Sequence, residues 1–121
     1  MAYDIRQWPA SVKKEIADLP VAAEAAVLVM LREMRSSGPM PEEYKVKPLR
    51  SHLHGIKQVN MKINREQIRV LFMTTGPQIV LLHVFKKTSP QIETRGYDKA
   101  LDRKAQVDEM MRSGYEPPAF H

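Results

Sequence analysis

The sequence predicts an α+β fold in which helices pack on a mainly antiparallel sheet. Three observations support it: helical patterns lie near the N-terminus, a group of strand patterns separated by short turns follows, and another helical pattern comes after Pro90. At 121 residues and 43% hydrophobic, the chain is long enough for one domain with its own core and too short for two. The predicted order over residues 1–121 is β-α-α-β-β-β-α.

The N-terminal third predicts one short strand and two helices. Residues 3–8 are short and alternating enough to form an edge strand, and Ser11 is a suitable N-cap for a short helix over 12–19. Residues 21–35 consist mostly of strong helix formers and stop before Gly38, which predicts a second, longer helix. Its apolar side chains recur at helical spacing and should pack on the sheet: Val27, Met30, Leu31 and Met34.

The middle of the chain predicts a three-stranded meander. Residues 39–55 contain three prolines and are predicted to be a loop. Apolar and polar residues alternate over 56–63, which predicts a half-exposed strand. Residues 67–88 form two apolar runs that are reversed at Gly76–Pro77, as in a hairpin. The second run, 79–85, is apolar enough for a central strand that is covered on both faces.

The C-terminal part predicts one helix and a tail. After Pro90, apolar residues return broadly in phase with a helix, and Gly114 with the prolines behind it should end that helix. Residues 114–121 are predicted to be a flexible tail.

Composition excludes several kinds of site. The chain has no cysteine, no secretory leader pattern and no apolar run long enough to cross a bilayer, which predicts a cytoplasmic protein. His52 and His54 have a spacing that can chelate a metal, but no third ligand follows at a convincing spacing. Clustered carboxylates are also missing from the sequence. No metal and no cofactor are therefore expected.

The positive charge is concentrated in one segment. The net charge is +5, and residues 41–95 hold ten Lys or Arg against four Asp or Glu, whereas the rest of the chain is nearly balanced. One electropositive surface is expected, and it suits RNA, DNA or an acidic protein partner. The positive charge can equally well serve only to keep the protein soluble.

The candidate anion site lies at the end of the last strand. Lys86 and Lys87 should reach the rim of the sheet, beside Arg69 if the partner strand pairs back, and Lys62 on the preceding strand can share the same face. Which of the two lysines faces Arg69 is left open. The alternatives are a cross-strand ion pair for Arg69 and a solvated strand end for the lysines.

Several motifs together resemble a known family. They are Phe85-Lys86-Lys87-Thr88 with Pro90, then Ala100-Leu101-Asp102-Arg103, and the strand Ile68-Arg69-Val70-Leu71-Phe72. In order and spacing they are similar to the RelE/ParE toxin superfamily, in its HigB-like, phage-derived branch. Members of this branch usually carry Glu-x-Arg where this chain has Gln58-Val59-Asn60.

The resemblance implies a RelE-like domain and a toxin of a type II toxin–antitoxin system. Such a toxin cuts mRNA on the ribosome and is inhibited by a cognate antitoxin, which usually carries a DNA-binding helix-turn-helix. The implied chemistry is internal attack by the 2′-hydroxyl without a metal. The expected phosphate and transition-state contacts are Arg69, Lys86 and Lys87, with Lys62 helping. Weaker candidates for substrate positioning or proton transfer are His54, Lys57 and Arg103.

Two other functions stay open. A ParE-like protein disables DNA gyrase without cutting RNA, and an inactive module binds an antitoxin or regulates without catalysis. The cations at the end of the last strand favour the nuclease. Gln58 and Asn60, which stand where charges are expected, favour the inactive module.

Overall fold

The computed structural model describes residues 2–121 and contains a five-stranded sheet with three helices. The strands are Asp4–Gln7 (β1), Lys45–Pro48 (β2), Lys57–Ile63 (β3), Glu66–Thr75 (β4) and Gln78–Lys87 (β5). The helices are Val12–Ala17 (α1), Val21–Ser37 (α2) and Pro90–Arg112 (α3), with one 3₁₀ turn at Ser51–Leu53. The predicted class and order are confirmed. None of the helices within 2–121 is long and apolar enough to cross a membrane.

Strand β2 is an addition to the predicted order, because it lies inside the segment predicted as a loop. It pairs antiparallel with β3 only, at the edge of the sheet. Pro48 ends the strand, and a proline is tolerated there because an edge strand has an N–H side that needs no partner.

The sheet has the order β1-β5-β4-β3-β2, with β1 parallel to β5 and every other pair antiparallel. The hairpin β4–β5 turns at Gly76 and Pro77, and Gly76 has a φ of 55°, which a glycine adopts without strain. Both strands lie in the interior of the sheet, as predicted for the apolar run 79–85.

The sheet is covered on both faces. On one face, which we call the α2 face, Val27, Met30 and Met34 of α2 pack with Val59 and Phe72 of the sheet. On the other, the α3 face, the buried core combines side chains of α3 with those of β4 and β5: Leu71, Met73, Val80, Leu82, Phe85, Ala100 and Val107. The α2 stripe predicted from helical spacing is therefore buried as expected.

Helices α1 and α3 both begin after a serine, but only one of the two serines caps its helix with its side chain. Ser11 is the N-cap residue of α1, as predicted, although its side chain makes no capping hydrogen bond. At the start of α3, the Ser89 hydroxyl accepts a hydrogen bond from the Ile92 N–H at 3.2 Å, and Pro90 occupies the first turn. Helix α3 therefore begins at a defined residue directly after β5.

The C-terminal residues pack on β1, which corrects the prediction of a flexible tail over 114–121. The Gln7 N–H donates to the Pro118 carbonyl at 3.0 Å, and the Phe120 N–H donates to the Ile5 carbonyl at 2.9 Å. The Phe120 side chain is buried in the core of the α2 face. β1 would otherwise be an edge with unpaired backbone groups, and the tail satisfies them.

Replacing Phe120 by alanine is expected to lower the free energy of unfolding by about 3 kcal/mol, because a buried phenylalanine is removed and a cavity remains. Chemical denaturation measures the change. Tyr115→Ala is the control, since Tyr115 is 69% exposed and should change stability very little. Equal stabilities for the two variants would show that the tail contributes nothing to the fold.

Candidate anion-binding site

The strand register brings three cations onto the α3 face. Asn60 lies opposite Arg69, Lys62 lies opposite Gln67, and Gln67 also lies opposite Lys87. Directly opposed residues point to the same side of a sheet. We call this group the basic face, and its members are Asn60, Lys62, Gln67, Arg69 and Lys87.

Arg69 is the buried centre of the basic face. It is 8% exposed. Its Nε donates to Glu93 Oε2 at 3.1 Å, and its Nη1 donates to Gln67 Oε1 at 3.3 Å. Lys87 Nζ lies 3.5 Å from the second oxygen of the same carboxylate, Glu93 Oε1. One carboxylate therefore bridges two cations from neighbouring strands, and the cluster keeps a net positive charge.

Helix α3 places Glu93 over the hairpin. Glu93 lies in the first turn of α3. One turn later, a Cβ on Gly96 would lie only 2.5 Å from Phe85 Cε1, so glycine allows the helix to approach β5 closely. Burial by itself raises the pKa of the Glu93 carboxyl, but the Arg69 hydrogen bond and the charge of Lys87 outweigh it and hold that pKa below its usual value. Glu93 is therefore ionised at neutral pH.

An open groove runs beside this cluster. Its volume is about 510 Å³, and it is lined by Glu43, Tyr44, Lys45, Asn60, Met61, Lys62, Ile63, Gln67 and Arg69. Lys62 is exposed at the groove and forms no ion pair with any of residues 2–121. The lining has three cations, Lys45, Lys62 and Arg69, against one carboxylate, Glu43, so the groove can hold an extended anionic ligand.

Two amides continue the basic face along β3. Gln58 Nε2 donates to Asn60 Oδ1 at 2.6 Å, and Gln58 is almost completely buried. Tyr97 of α3 lies beside Gln58 and Glu93, and burial together with the Glu93 charge raises the pKa of its hydroxyl. A Glu and an Arg at these positions would form an ion pair of zero net charge. The neutral amide pair therefore leaves the charge of the face unchanged.

Lys86 lies on the opposite side of the sheet, which corrects its placement in the site. It is paired with Ile68 in the register, and its Nζ lies 2.9 Å from Glu66 Oε2. Successive residues of a strand point to opposite faces, so Lys86 and Lys87 cannot both join Arg69.

Arg103 also lies away from the basic face, so the structure does not bring it together with Arg69, and a role in positioning substrate stays a prediction. Its Nη1 donates to Glu15 Oε2 at 2.8 Å and to the Leu82 carbonyl at 2.7 Å. Leu82 is the extra residue of a bulge in β5, since Leu71 and Phe72 pair with His83 and Leu81. The backbone groups of a bulged residue are left without a partner in the ladder, and Arg103 supplies a hydrogen-bond donor to the Leu82 carbonyl.

Glu15 is the centre of this second cluster. Its Oε1 accepts from the Val84 N–H at 3.0 Å and lies 2.9 Å from His83 Nδ1. Burial raises the pKa of Glu15, but the contacts with His83, Val84 and Arg103 together bring that pKa below its usual value. The cluster joins α1, β5 and α3 where β1 no longer covers the edge of β5. We call it the Glu15 cluster.

The two remaining candidates lie elsewhere, which corrects their assignment to the site. Lys57 points to the α2 face, opposite Phe72, and its Nζ donates to Thr74 Oγ1 at 3.2 Å. His54 is exposed after the 3₁₀ turn, at the end of β3 away from Lys62. Within residues 2–121, no three His, Asp or Glu side chains come together as metal ligands.

Comparison with known proteins places the chain in a family. The model of the family described as phage derived protein Gp49-like (DUF891) matches residues 14–105. The chain belongs to this family. No curated protein matches the sequence. The matched segment runs from α1 into α3, so the basic face and the Glu15 cluster both lie within the Gp49-like part of the chain.

Two solved structures share the fold of this Gp49-like protein. One is a chain of the toxin–antitoxin complex RelBE2 from Mycobacterium tuberculosis, with a TM-score of 0.53 and 22% identity over 72% of this chain and 100% of that chain. The other is a mutant of the E. coli toxin RelE in the free state, with a TM-score of 0.56 and 17% identity over 82% of this chain and 98% of that chain. The fold is RelE-like, as predicted, while the HigB-like branch stays a prediction.

Sequence reasoning missed the partners that organise the Gp49-like basic face. Glu93 is separated from Arg69 by the whole of β5, so its contact is visible only when α3 is placed on the sheet. Gln67 could have been found, since it stands two residues before Arg69 and therefore on the same face. Tyr97 follows Glu93 by four residues, the helical spacing that puts two side chains on one side.

Proposed function

We propose that this Gp49-like protein is the toxin of a toxin–antitoxin system and cuts mRNA on the ribosome. A protein antitoxin with a DNA-binding helix-turn-helix would inhibit it, and the site of action would be the cytoplasm. One observation carries the proposal: Arg69 and Lys87, from neighbouring strands, converge beside a groove that also holds the exposed Lys62. The RelE-like fold supports the same reading, since one of the two solved structures compared above is described as a toxin–antitoxin complex and the other as a toxin.

The basic face suits phosphate chemistry without a metal. When the 2′-hydroxyl of RNA attacks the neighbouring phosphate, negative charge accumulates on the phosphorane oxygens. A guanidinium and an ammonium held in place can stabilise that charge directly. The nucleophile is already tethered to the phosphate, so no water has to be activated. As the bond from the 2′-oxygen to phosphorus forms, the bond from phosphorus to the 5′-oxygen breaks, and the proton that the 2′-hydroxyl loses is balanced by the one that the leaving 5′-oxygen gains. Arg69 and Lys87 take the phosphate in this scheme, and Lys62 binds the neighbouring backbone.

Inhibition of gyrase and a purely regulatory role are weaker readings. Compared with the Glu-x-Arg pattern of the resembled branch, Gln58 and Asn60 replace one anion and one cation by a hydrogen-bonded amide pair. The net charge of the basic face is then the same, so the missing charges do not argue for an inactive module. An open basic groove favours a nucleic acid over a protein target, and the fold by itself does not choose among these functions.

Cleavage is expected to need no metal and to leave a 2′,3′-cyclic phosphate and a 5′-hydroxyl. The test uses purified protein, programmed ribosomes and an mRNA that carries a single 2′-deoxy nucleotide at the cut site. The deoxy substrate should remain intact, because the attacking hydroxyl is absent. Chelation of divalent ions, at a level that keeps the ribosome intact, should leave cutting of the normal substrate unchanged. Cutting of the deoxy substrate, or loss of cutting on chelation, would contradict this mechanism.

A further inference from the structure

Arg69 needs a fixed orientation to act on a phosphate, and Glu93 is placed to provide it. A guanidinium has five N–H donors in a rigid fork, so holding one edge determines where the other edge points. In this protein the Nε edge is bound by Glu93 and Nη1 is bound by Gln67. Nη2 has no hydrogen-bond partner among residues 2–121 and is not a buried atom, and Arg69 lines the groove. The unbound donors are therefore available to a ligand there.

The same carboxylate also acts on Lys87. Each Glu93 oxygen contacts a different cation, at 3.1 Å for Arg69 and 3.5 Å for Lys87. Lys87 ends β5, where a flexible side chain would otherwise move freely, and its side chain is 30% exposed. Since Glu93 belongs to α3, which Ser89 caps and Gly96 allows close to β5, the helix fixes the distance between the two cations.

We propose that Glu93 is a positioning residue of the basic face, which holds Arg69 and Lys87 in the arrangement that binds the scissile phosphate of RNA. The inference rests on the proposed function. Glu93 does not touch the substrate in this scheme and accepts no proton from it. It acts through the hydrogen bond to Arg69 Nε, and this hydrogen bond matters more than the negative charge.

Two substitutions separate the hydrogen bond from the charge. Glu93→Gln and Glu93→Ala both remove the same negative charge, but glutamine keeps an oxygen that can accept from Arg69 Nε. The difference between them therefore measures orientation alone. Simple electrostatics would make both variants bind RNA more tightly than the wild type, because a negative charge beside the phosphate is lost. Glu66→Gln is the matched control, since Glu66 pairs with Lys86 on the other face of the sheet.

Binding and cleavage are measured on folded variants with equal thermal stability. A 2′-O-methylated RNA oligonucleotide, which cannot be cut by internal attack, is titrated by fluorescence anisotropy. Glu93→Gln should bind at least as tightly as the wild type, and Glu93→Ala should bind about tenfold more weakly than Glu93→Gln, as expected for one lost hydrogen bond. In ribosome-dependent cleavage, kcat of Glu93→Ala should fall by about 100-fold, whereas Glu93→Gln and Glu66→Gln stay close to the wild type.

Three results would overturn the proposal. Equal RNA affinity of Glu93→Ala and Glu93→Gln would show that Arg69 needs no such hydrogen bond. Equal loss of kcat in both would show that the carboxylate charge itself is required, as for a proton acceptor. The third result comes from the NMR signal of the Arg69 Nε–H, which tests the positioning by Glu93 even if the wild-type protein neither cuts nor binds RNA and the proposed function is thereby rejected. That signal should be retained in Glu93→Gln and lost in Glu93→Ala, and its presence in both would contradict the inference.

Discussion

Replacing Arg69 by alanine is expected to lower the rate of ribosome-dependent mRNA cleavage by about 100- to 1,000-fold. This is the loss that enzymes generally show when one oriented hydrogen-bond donor to a developing oxyanion is removed. Lys87→Ala should cause a smaller loss, because its ammonium lies at the end of β5 and is partly exposed. Growth arrest on induction should disappear in the Arg69 variant. Single-turnover cleavage assays and growth curves at equal expression measure both effects.

Lys86→Ala is the matched control for this prediction. It removes the same type of charge one residue away from Lys87, but from the α2 face, where Lys86 pairs with Glu66. Cleavage by this variant should stay close to that of the wild type. A loss as large as that of Lys87→Ala would show that the strand register does not determine which lysine serves the site.

Replacing Glu15 by alanine is expected to lower the free energy of unfolding by about 3 kcal/mol, because Arg103 loses its carboxylate partner in a largely buried position. The Val84 N–H and His83 lose their acceptor at the same time. Denaturant unfolding measures the change. Lys14→Ala, one residue earlier on α1, is the control, since its pair with Asp18 is fully exposed.

The contribution of Glu15 should depend on pH in a defined direction. Its pKa is lower in the folded protein than its usual value. A carboxyl of this kind stabilises the fold above its unfolded pKa, and the stabilisation is lost as the pH falls through the folded pKa. The difference in unfolding free energy between the wild type and Glu15→Gln should therefore be largest near neutral pH and should shrink as the pH falls into the acid range. A difference that grows toward acid would contradict the ionised Glu15 cluster.

Most elements of the fold could be predicted from local pattern. Helix α2 and the hairpin β4–β5 have strong periodicity and clear ends, so their type and order follow from the sequence. Strand β2 could not be predicted, because four residues that end in a proline are too few to show a periodicity and the pairing with β3 is a tertiary event. The C-terminal strand-like contact of Phe120 is of the same kind, since its partner Ile5 lies at the other end of the chain.

The charges of the candidate site and the face that three of them share could be predicted, but the register of β5 and the partners of these charges on α3 could not. Arg69, Lys87 and Lys62 lie together as expected, because alternation along strands sets which side chains share a face. The choice between Lys86 and Lys87 depends on register, and a shift of one residue exchanges them. Arg103 was assigned from its motif, but its position on α3 brings it to the bulge at Leu82 instead.

Primer extension on an abundant transcript, after brief induction in growing cells, decides between the proposed function and its alternatives. The wild type should produce cuts that recur in phase with codons, and these cuts should be absent in Arg69→Ala and present in Lys86→Ala. Plasmid topology is followed in the same cultures and should not change. Growth arrest with altered supercoiling and an uncut transcript would contradict the mRNA nuclease and indicate an action on gyrase.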